Sequence, residues 1–424
     1  MRRLLMASAI AISPLIAALY IEPANAQDEP RKGSFDWSLD EENGIIRLDT
    51  DDPTYDIWNR QRDRSKDPKR EAGPIQLNRT VLGMPFHGIP TFLRRPVAIY
   101  PEDLKAGNVD AAFLGVPIDF NSVRRGALLG PQAIRTAEIL MAWRSDGNEM
   151  VQHSDTMIDP LSILNVVDYG DAPVELFSLE RSVGAVIPVV REAAKTGATL
   201  LIAGGSHSVP YPTVRGIVEA NGGKKGSVGL IHFDAHQDAQ PYGIGHAAHY
   251  GNFIRTLVLD EIVEGKHIIQ VGMRGPANSR SGLEFQREHG IKTFYMPEIR
   301  RDGFQAVAEK ILKELEDLPD KLYISLDLDF YDSSVATGTT APEPGGAMPG
   351  DLFPFLRAMA IKKDVVGMDI VEIAPMLDDA TKSTMLLATR SFYELLVGMA
   401  LKKEGVTDPW YIHPDVRSGT GRGK

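Results

Sequence analysis

Six short apolar runs dominate the chain from Gly83 onward: Ala111–Val116, Thr199–Ala203, Val228–Phe233, His267–Val271, Lys321–Leu326 and Asp364–Ile370. Each has the length of a strand, and helical patterns lie between them. Phe304, Val307, Ile311, Leu312 and Leu315 recur at helical spacing, and Met385–Leu401 carries a longer helical pattern. Strands that alternate with helices imply a parallel sheet, because a parallel pair needs a crossover and the crossover helix covers a face. The expectation is therefore a three-layer α/β/α fold with a mostly parallel central sheet, as a single domain over residues 83–404. A chain of 424 residues with 43% hydrophobic and 24% charged side chains can bury the core this needs.

The ends of these runs carry the chemistry. Leu230-Ile-His-Phe-Asp234-Ala-His236-Gln-Asp238 places three possible metal ligands at every second position after an apolar stretch. In an extended chain these would point to one face. Leu200-Leu-Ile-Ala-Gly204-Gly205-Ser206-His207 presents a histidine after two glycines, expected to turn the chain. Leu322-Tyr-Ile-Ser325-Leu-Asp327-Leu-Asp329 supplies two more carboxylates, and Val365-Val-Gly-Met-Asp369-Ile-Val-Glu372 a further pair. Ligands bind at the carboxyl ends of strands in open α/β sheets, so all four stretches are candidates for one crevice. A lone histidine is more often structural, and an isolated Asp-x-Asp is more often surface. Asp327-x-Asp329 also lacks the glycine and closing glutamate of a calcium loop. Three clusters built wholly of ligand types outweigh these readings. Asp234, Asp238, Asp327 and Asp329 bring four negative charges, and His207 and His236 bring neutral nitrogens. Two divalent cations balance that set, whereas one leaves charge uncompensated. Oxygen-rich ligation with two imidazoles suits Mn, and accommodates Ni, Co or Fe.

Composition narrows the rest. The net charge of −11 argues against nucleic acid as a partner. The absence of cysteine excludes disulfides and thiolate sites. Met1–Ala26 reads as a signal peptide, with Arg2 and Arg3 before an apolar stretch and Ala24-Asn-Ala26 as a cleavage motif. Cleavage after Ala26 would deliver the chain to a periplasmic or secreted location, and an uncleaved anchor is the alternative. No later stretch is long and apolar enough to span a membrane. Residues 27–82 read as an irregular, charged extension. Its basic run Arg60–Arg70 is expected to be a solvated face or linker. Residues 405–424 read as a tail.

Gly204-Gly-Ser-His-Ser208, Asp234-Ala-His-Gln-Asp238 and Ser325-Leu-Asp-Leu-Asp329 together resemble the metal-binding motifs of the ureohydrolase (arginase/agmatinase) family. Gly115-Val-Pro-Ile-Asp119, Gly130-Pro-Gln-Ala-Ile-Arg135, Val167-Asp-Tyr-Gly-Asp171 and Asp369-Ile-Val-Glu-Ile-Ala-Pro375 extend the likeness over roughly Gly88 to Leu401. Gly88-Ile-Pro-Thr-Phe-Leu-Arg94 is similar to the agmatinase and guanidinobutyrase branch more than to arginase itself. The resemblance implies an arginase-like fold and two Mn2+ per subunit, with Ni2+ or Co2+ as substitutes. It implies cleavage of a guanidino compound to urea and an amine by a metal-bridging hydroxide, agmatine to putrescine first among the candidates. His207 and Asp238 would be terminal ligands of one ion, and His236 and Asp329 of the other. Asp234 and Asp327 would bridge. Glu372 would hold the guanidinium, and Asp238 and His249 would carry protons to the leaving amine. The family also implies a homotrimer or homohexamer.

Two departures stand out. Ser206 occupies a position where the family usually has Asp, which is expected to alter what orients His207. The loop Asp332-Ser-Ser-Val-Ala-Thr-Gly-Thr-Thr-Ala-Pro342 lacks two prolines usual there, which bears on the substrate channel. A different guanidine, such as the guanidino acid guanidinobutyrate, is the alternative substrate. It would need a cation, which Arg124 or Arg125 could supply. A non-catalytic metal-binding subunit is the alternative role.

Overall fold

A computed structural model describes residues 39–40, 45–46, 66–78, 88–137 except 121 and 123, and 153–417 except 176, 242–245, 247 and 277. The leader and most of the extension, including Arg60, lie outside these, as does the end of the tail. Among the described residues there are ten strands: β1 (Leu39–Asp40), β2 (Ile45–Ile46), β3 (Ala111–Val116), β4 (Val166–Asp171), β5 (Thr199–Gly204), β6 (Gly229–Phe233), β7 (Ile268–Val271), β8 (Lys292–Phe294), β9 (Lys321–Asp327) and β10 (Asp364–Val371). β1 and β2 form a small antiparallel pair. The other eight form one sheet in the order β4-β3-β5-β10-β9-β6-β7-β8, with every neighbouring pair parallel.

Six of these eight strands are the apolar runs of the sequence. The two that are not, β4 and β8, are the edges of the sheet. An edge strand is less enclosed at its end, so Gly170 and exposed Asp171 can sit in β4 and β8 is only partly buried, whereas Asp168 is buried and held by Arg135. The interior strands are buried along both faces, and their residues alternate between two cores. In β5, Leu201 and Ala203 join the core beneath helices Pro349–Lys362 and Ser383–Lys403, whereas Leu200 and Ile202 join the one beneath Leu179–Ala194 and Pro210–Ala220. The period-two alternation thus faces two helical layers instead of one layer and water.

Of the basic run only residues 66–70 are described: 66–69 are exposed, as a solvated face would be, and Arg70 is the exception. Arg70 donates to both oxygens of fully buried Asp103, at 2.6 and 2.7 Å. Asp103 also collects the backbone N–H groups of Gly73, Ile99 and Tyr100. A buried carboxylate requires a counter-charge, and Arg70 supplies it from 33 residues away. Ile75 then pairs with Val97, which pairs with Asp168 of β4, so residues 66–78 are docked against the sheet edge. No helix among the described residues is long and apolar enough to cross a membrane.

Candidate active site

Strand order decides which motifs meet. β5, β10, β9 and β6 are consecutive at the centre of the sheet. They are parallel, so His207, Glu372, Asp327 with Asp329, and Asp234 with its neighbours all emerge at one edge.

The segment after β6 does not continue as an extended face. The strand ends at Phe233. Asp234 Oδ1 accepts the His236 backbone N–H at 2.5 Å, and Asp238 adopts a left-handed φ of 46°. A turn closed by the aspartate's own side chain therefore gathers the three groups. The chain bends after the two glycines before His207, as expected, but neither has a positive φ. A Cβ on Gly205 would lie 1.8 Å from the Ile118 carbonyl oxygen, so Gly205 also allows a close backbone approach.

Two clusters of ligand atoms result. His207 Nδ1 lies 2.8 Å from Asp238 Oδ2, 3.0 Å from Asp234 Oδ2 and 3.1 Å from Asp327 Oδ2. His236 Nδ1 lies 2.9 Å from Asp329 Oδ2 and 3.2 Å from Asp234 Oδ1. Asp234 belongs to both clusters through its two oxygens. Asp327 aligns with the His207 side: its second oxygen accepts the Asp329 backbone N–H at 2.8 Å. All four carboxylates are buried, as is His207. His207 Nδ1 and Asp329 Oδ2 have no hydrogen-bond partner despite their close neighbours. Such orphans are costly when buried. A cation at each cluster satisfies both, so the residues present fit two divalent ions.

The tautomer of His207 agrees. Ser325 Oγ donates to Asp369 Oδ1 at 2.8 Å and lies 3.2 Å from His207 Nε2. With its own proton spent on Asp369, Ser325 accepts from Nε2–H, which leaves the Nδ1 lone pair facing the cluster. Ser206, which stands where the family pattern departs, donates to Ser208 Oγ at 3.2 Å.

The electrostatics describe a site that takes up protons where cations would sit. Burial, with Asp329 and Asp234 adding to it, holds Asp327 well above the carboxylate range. Burial and Asp234 push Asp329 to about 7. Burial alone would lower His236, yet Asp329 and Asp234 outweigh it and raise it to about 12. Cation binding at such a cluster releases protons.

Glu372 faces the clusters across a cavity of about 170 Å³, lined also by Gln240, Tyr250, Gly251, Thr340 and Ala341. Like Asp238 it has a left-handed φ, here 57°. Its Oε1 accepts the His207 backbone N–H at 2.6 Å, and its Oε2 accepts the Thr340 hydroxyl. Burial, then the charge of Asp327, pushes Glu372 to about 8. The departing loop is thus built into the site: Thr339 bridges Ile373, and Thr340 touches Glu372. His249 is next to the cavity but not part of its lining. Its Nδ1 accepts the Gly251 N–H at 3.0 Å, and burial holds its pKa below the usual imidazole value. His246 pairs with Glu180 at 2.5 Å, outside the cavity.

Sequence reasoning missed His232. Its Nε2 lies 2.9 Å from Asp234 Oδ2, and its Nδ1 lies 2.9 Å from Gln270 Nε2. Two signals pointed there: His232 precedes Asp234 by two residues, hence on the same strand face, and Gln270 is a polar residue inside an apolar run.

The fold and the paired clusters define an α/β protein of the two-metal class. Residues 109–398 match the arginase family, and the chain belongs to it. It is 30% identical over 311 residues to the mitochondrial agmatinase of Gallus gallus, covering 72% of this chain and 87% of that one. It is 29% identical over 313 residues to the mitochondrial guanidino acid hydrolase of Homo sapiens, covering 74% and 83% respectively. Among solved structures it is similar to a hypothetical agmatinase from Burkholderia thailandensis, with a TM-score of 0.65, 27% identity, and coverage of 80% and 99%.

Proposed function

We propose that this chain hydrolyses a guanidino compound to urea and an amine, with agmatine as substrate and putrescine as the amine. The observation that carries this is the pair of imidazole–carboxylate clusters sharing Asp234 and facing Glu372 across one cavity. His207 and Asp238, with Asp327 beside them, would hold one Mn2+, and His236 and Asp329 the other, with Asp234 shared between the two. Bound there, the two ions would lower the pKa of water enough to supply a nucleophile at neutral pH.

The protein's own groups do the rest. Glu372 accepts the forked donors of the guanidinium and sets the position of its carbon. Its tethers to the His207 amide and Thr340 keep the carboxylate in one orientation. Asp238 passes a proton towards the leaving nitrogen. His249, with Nδ1 engaged, carries its proton on Nε2 and exchanges it at the edge of the cavity.

The lining supports a cationic or neutral tail on the substrate. Among the described residues it contains no lysine or arginine. Arg125, a candidate partner for a carboxylate tail, donates instead to the Asp119 carbonyl. Guanidinobutyrate is the second reading, favoured by the similar identity to a guanidino acid hydrolase. The leader supports export and cleavage after Ala26, which a mature N-terminus at Gln27 would establish.

The test is urea release by Mn2+-loaded protein from agmatine, guanidinobutyrate and arginine. Agmatine is expected to show the highest kcat/KM, and Asp238→Asn to lower kcat about 10²- to 10⁴-fold. A preference for guanidinobutyrate would overturn the tail assignment. Two bound metals with no urea from any guanidine would make the chain a non-catalytic subunit.

A further inference from the structure

His232 lies within the same group of potential ligand atoms as His207, Asp234 and Asp238. What it does there depends on which of its nitrogens carries the proton. Three glutamines behind it settle the question. Gln270 Nε2 lies 2.7 Å from the Gln237 backbone carbonyl oxygen. A carbonyl oxygen only accepts, so this end of Gln270 is the NH2 group. The same NH2 is 2.9 Å from His232 Nδ1 and donates to it. Gln270 Oε1 then accepts from Gln286 Nε2, and Gln286 Oε1 accepts from Gln237 Nε2 at 3.3 Å. The ring closes on the residue where it began, and one direction of donation gives every amide NH2 an acceptor, with Gln237 Oε1 left outside it. All three glutamines and His232 are buried, so water does not substitute for a partner. Gly282 leaves room for the ring, since a Cβ there would lie 2.4 Å from Gln237 Oε1.

We propose that this ring of Gln237, Gln270 and Gln286 makes His232 a positioning residue, an Nε2–H donor that orients Asp234 between the two clusters, and thereby excludes it as a metal ligand. With Nδ1 accepting from Gln270, a neutral imidazole has its proton on Nε2, directed at Asp234 Oδ2 at 2.9 Å. The nitrogen nearest the cluster therefore has no lone pair for a cation. Gln237 lies inside the Asp-Ala-His-Gln-Asp stretch, so the segment that carries the ligands also carries the anchor of the ring. The inference rests on the two-cation reading of the site.

The test is Mn2+ titration calorimetry on the full chain stripped with chelator. Gln270→Leu and His232→Leu are expected to weaken Mn2+ binding about 10- to 100-fold, the usual effect of removing a group that orients a ligand. His232→Gln places an amide NH2 near the position of Nε2–H and is expected to retain affinity. Unchanged affinity in Gln270→Leu overturns the inference, as does a loss in His232→Gln equal to that in His232→Leu. A second measurement needs no destabilising change: histidine 15N–1H spectra of the metal-free wild type, assigned with His232→Gln, are expected to show the Nε2–H tautomer at His232. The Nδ1–H tautomer overturns the inference. Wild type that binds no Mn2+ would refute the two-cation reading instead, and the tautomer would still decide the ring.

Discussion

Both oxygens of Glu372 are engaged before any substrate arrives, one by the His207 backbone and one by Thr340. A carboxylate held this way loses less freedom when a guanidinium binds, so its orientation is prepared by the fold. Thr340 belongs to the loop that departs from the family pattern, yet it is fully enclosed and reaches the residue expected to clamp the substrate. Thr340→Val keeps the shape and removes the donor. A hydrogen bond to a charged group is worth about 1.5–3 kcal/mol, so kcat/KM should fall about 10- to 100-fold. Bound Mn2+, measured on the same preparation, should be unchanged. A parallel loss of metal would mean that Thr340 supports the clusters and not the clamp.

The elements that meet at the site are joined by backbone as well as by side chains. Gly205 N donates to Val116 O at the end of β3, Ser206 N donates to Ile118 O just beyond it, and Glu372 N after β10 donates to Gly205 O at 2.7 Å. Three strand ends are thereby tied into one ledge beneath His207. Gly205 makes the ledge possible, because any side chain there would collide with Ile118. Gly205→Ala should cost about 1–3 kcal/mol through overpacking, seen as a fall of a few degrees in Tm, and should displace His207 and weaken metal binding. Gly350→Ala is the control, since a Cβ there meets nothing within 4 Å. Equal Tm values for the two variants would refute the close-approach argument.

Across the whole molecule, a second buried polar cluster lies away from the active site. Glu394 accepts from Arg357 at 2.5 Å and Arg390 at 2.6 Å, and lies 3.3 Å from His153. It joins helices Pro349–Lys362 and Ser383–Lys403 to the segment before β4. Burial alone would raise its pKa, but His153, Arg357 and Arg390 outweigh it and lower it from 4.5 to about 2. A carboxylate depressed on folding stabilises above its unfolded pKa, and that stability is lost as pH falls through the folded value. The depression corresponds to about 3 kcal/mol, present at neutral pH and lost between about 4.5 and 2. Urea denaturation should therefore show Glu394→Gln well below wild type at pH 7, with the gap narrowing below pH 4. A gap that stays constant with pH would refute the ion-pair account.

What could be read from the chain alone was whatever is local along it. Six interior strands were legible because burial on both faces makes a continuous apolar run, and the ligand residues were legible because their types cluster at the ends of those runs. The edge strands β4 and β8 were not, since an edge tolerates polar residues. Nor was the anchoring of Arg70 on Asp103, or the glutamine ring behind His232, because these contacts join residues tens of positions apart. The tertiary structure alone decided that β5, β10, β9 and β6 lie side by side, which brings four separate strand ends within reach of two cations. It also decided which histidine presents a lone pair and which presents a proton. That choice depends on partners across the fold: Ser325 for His207, and Gln270 for His232.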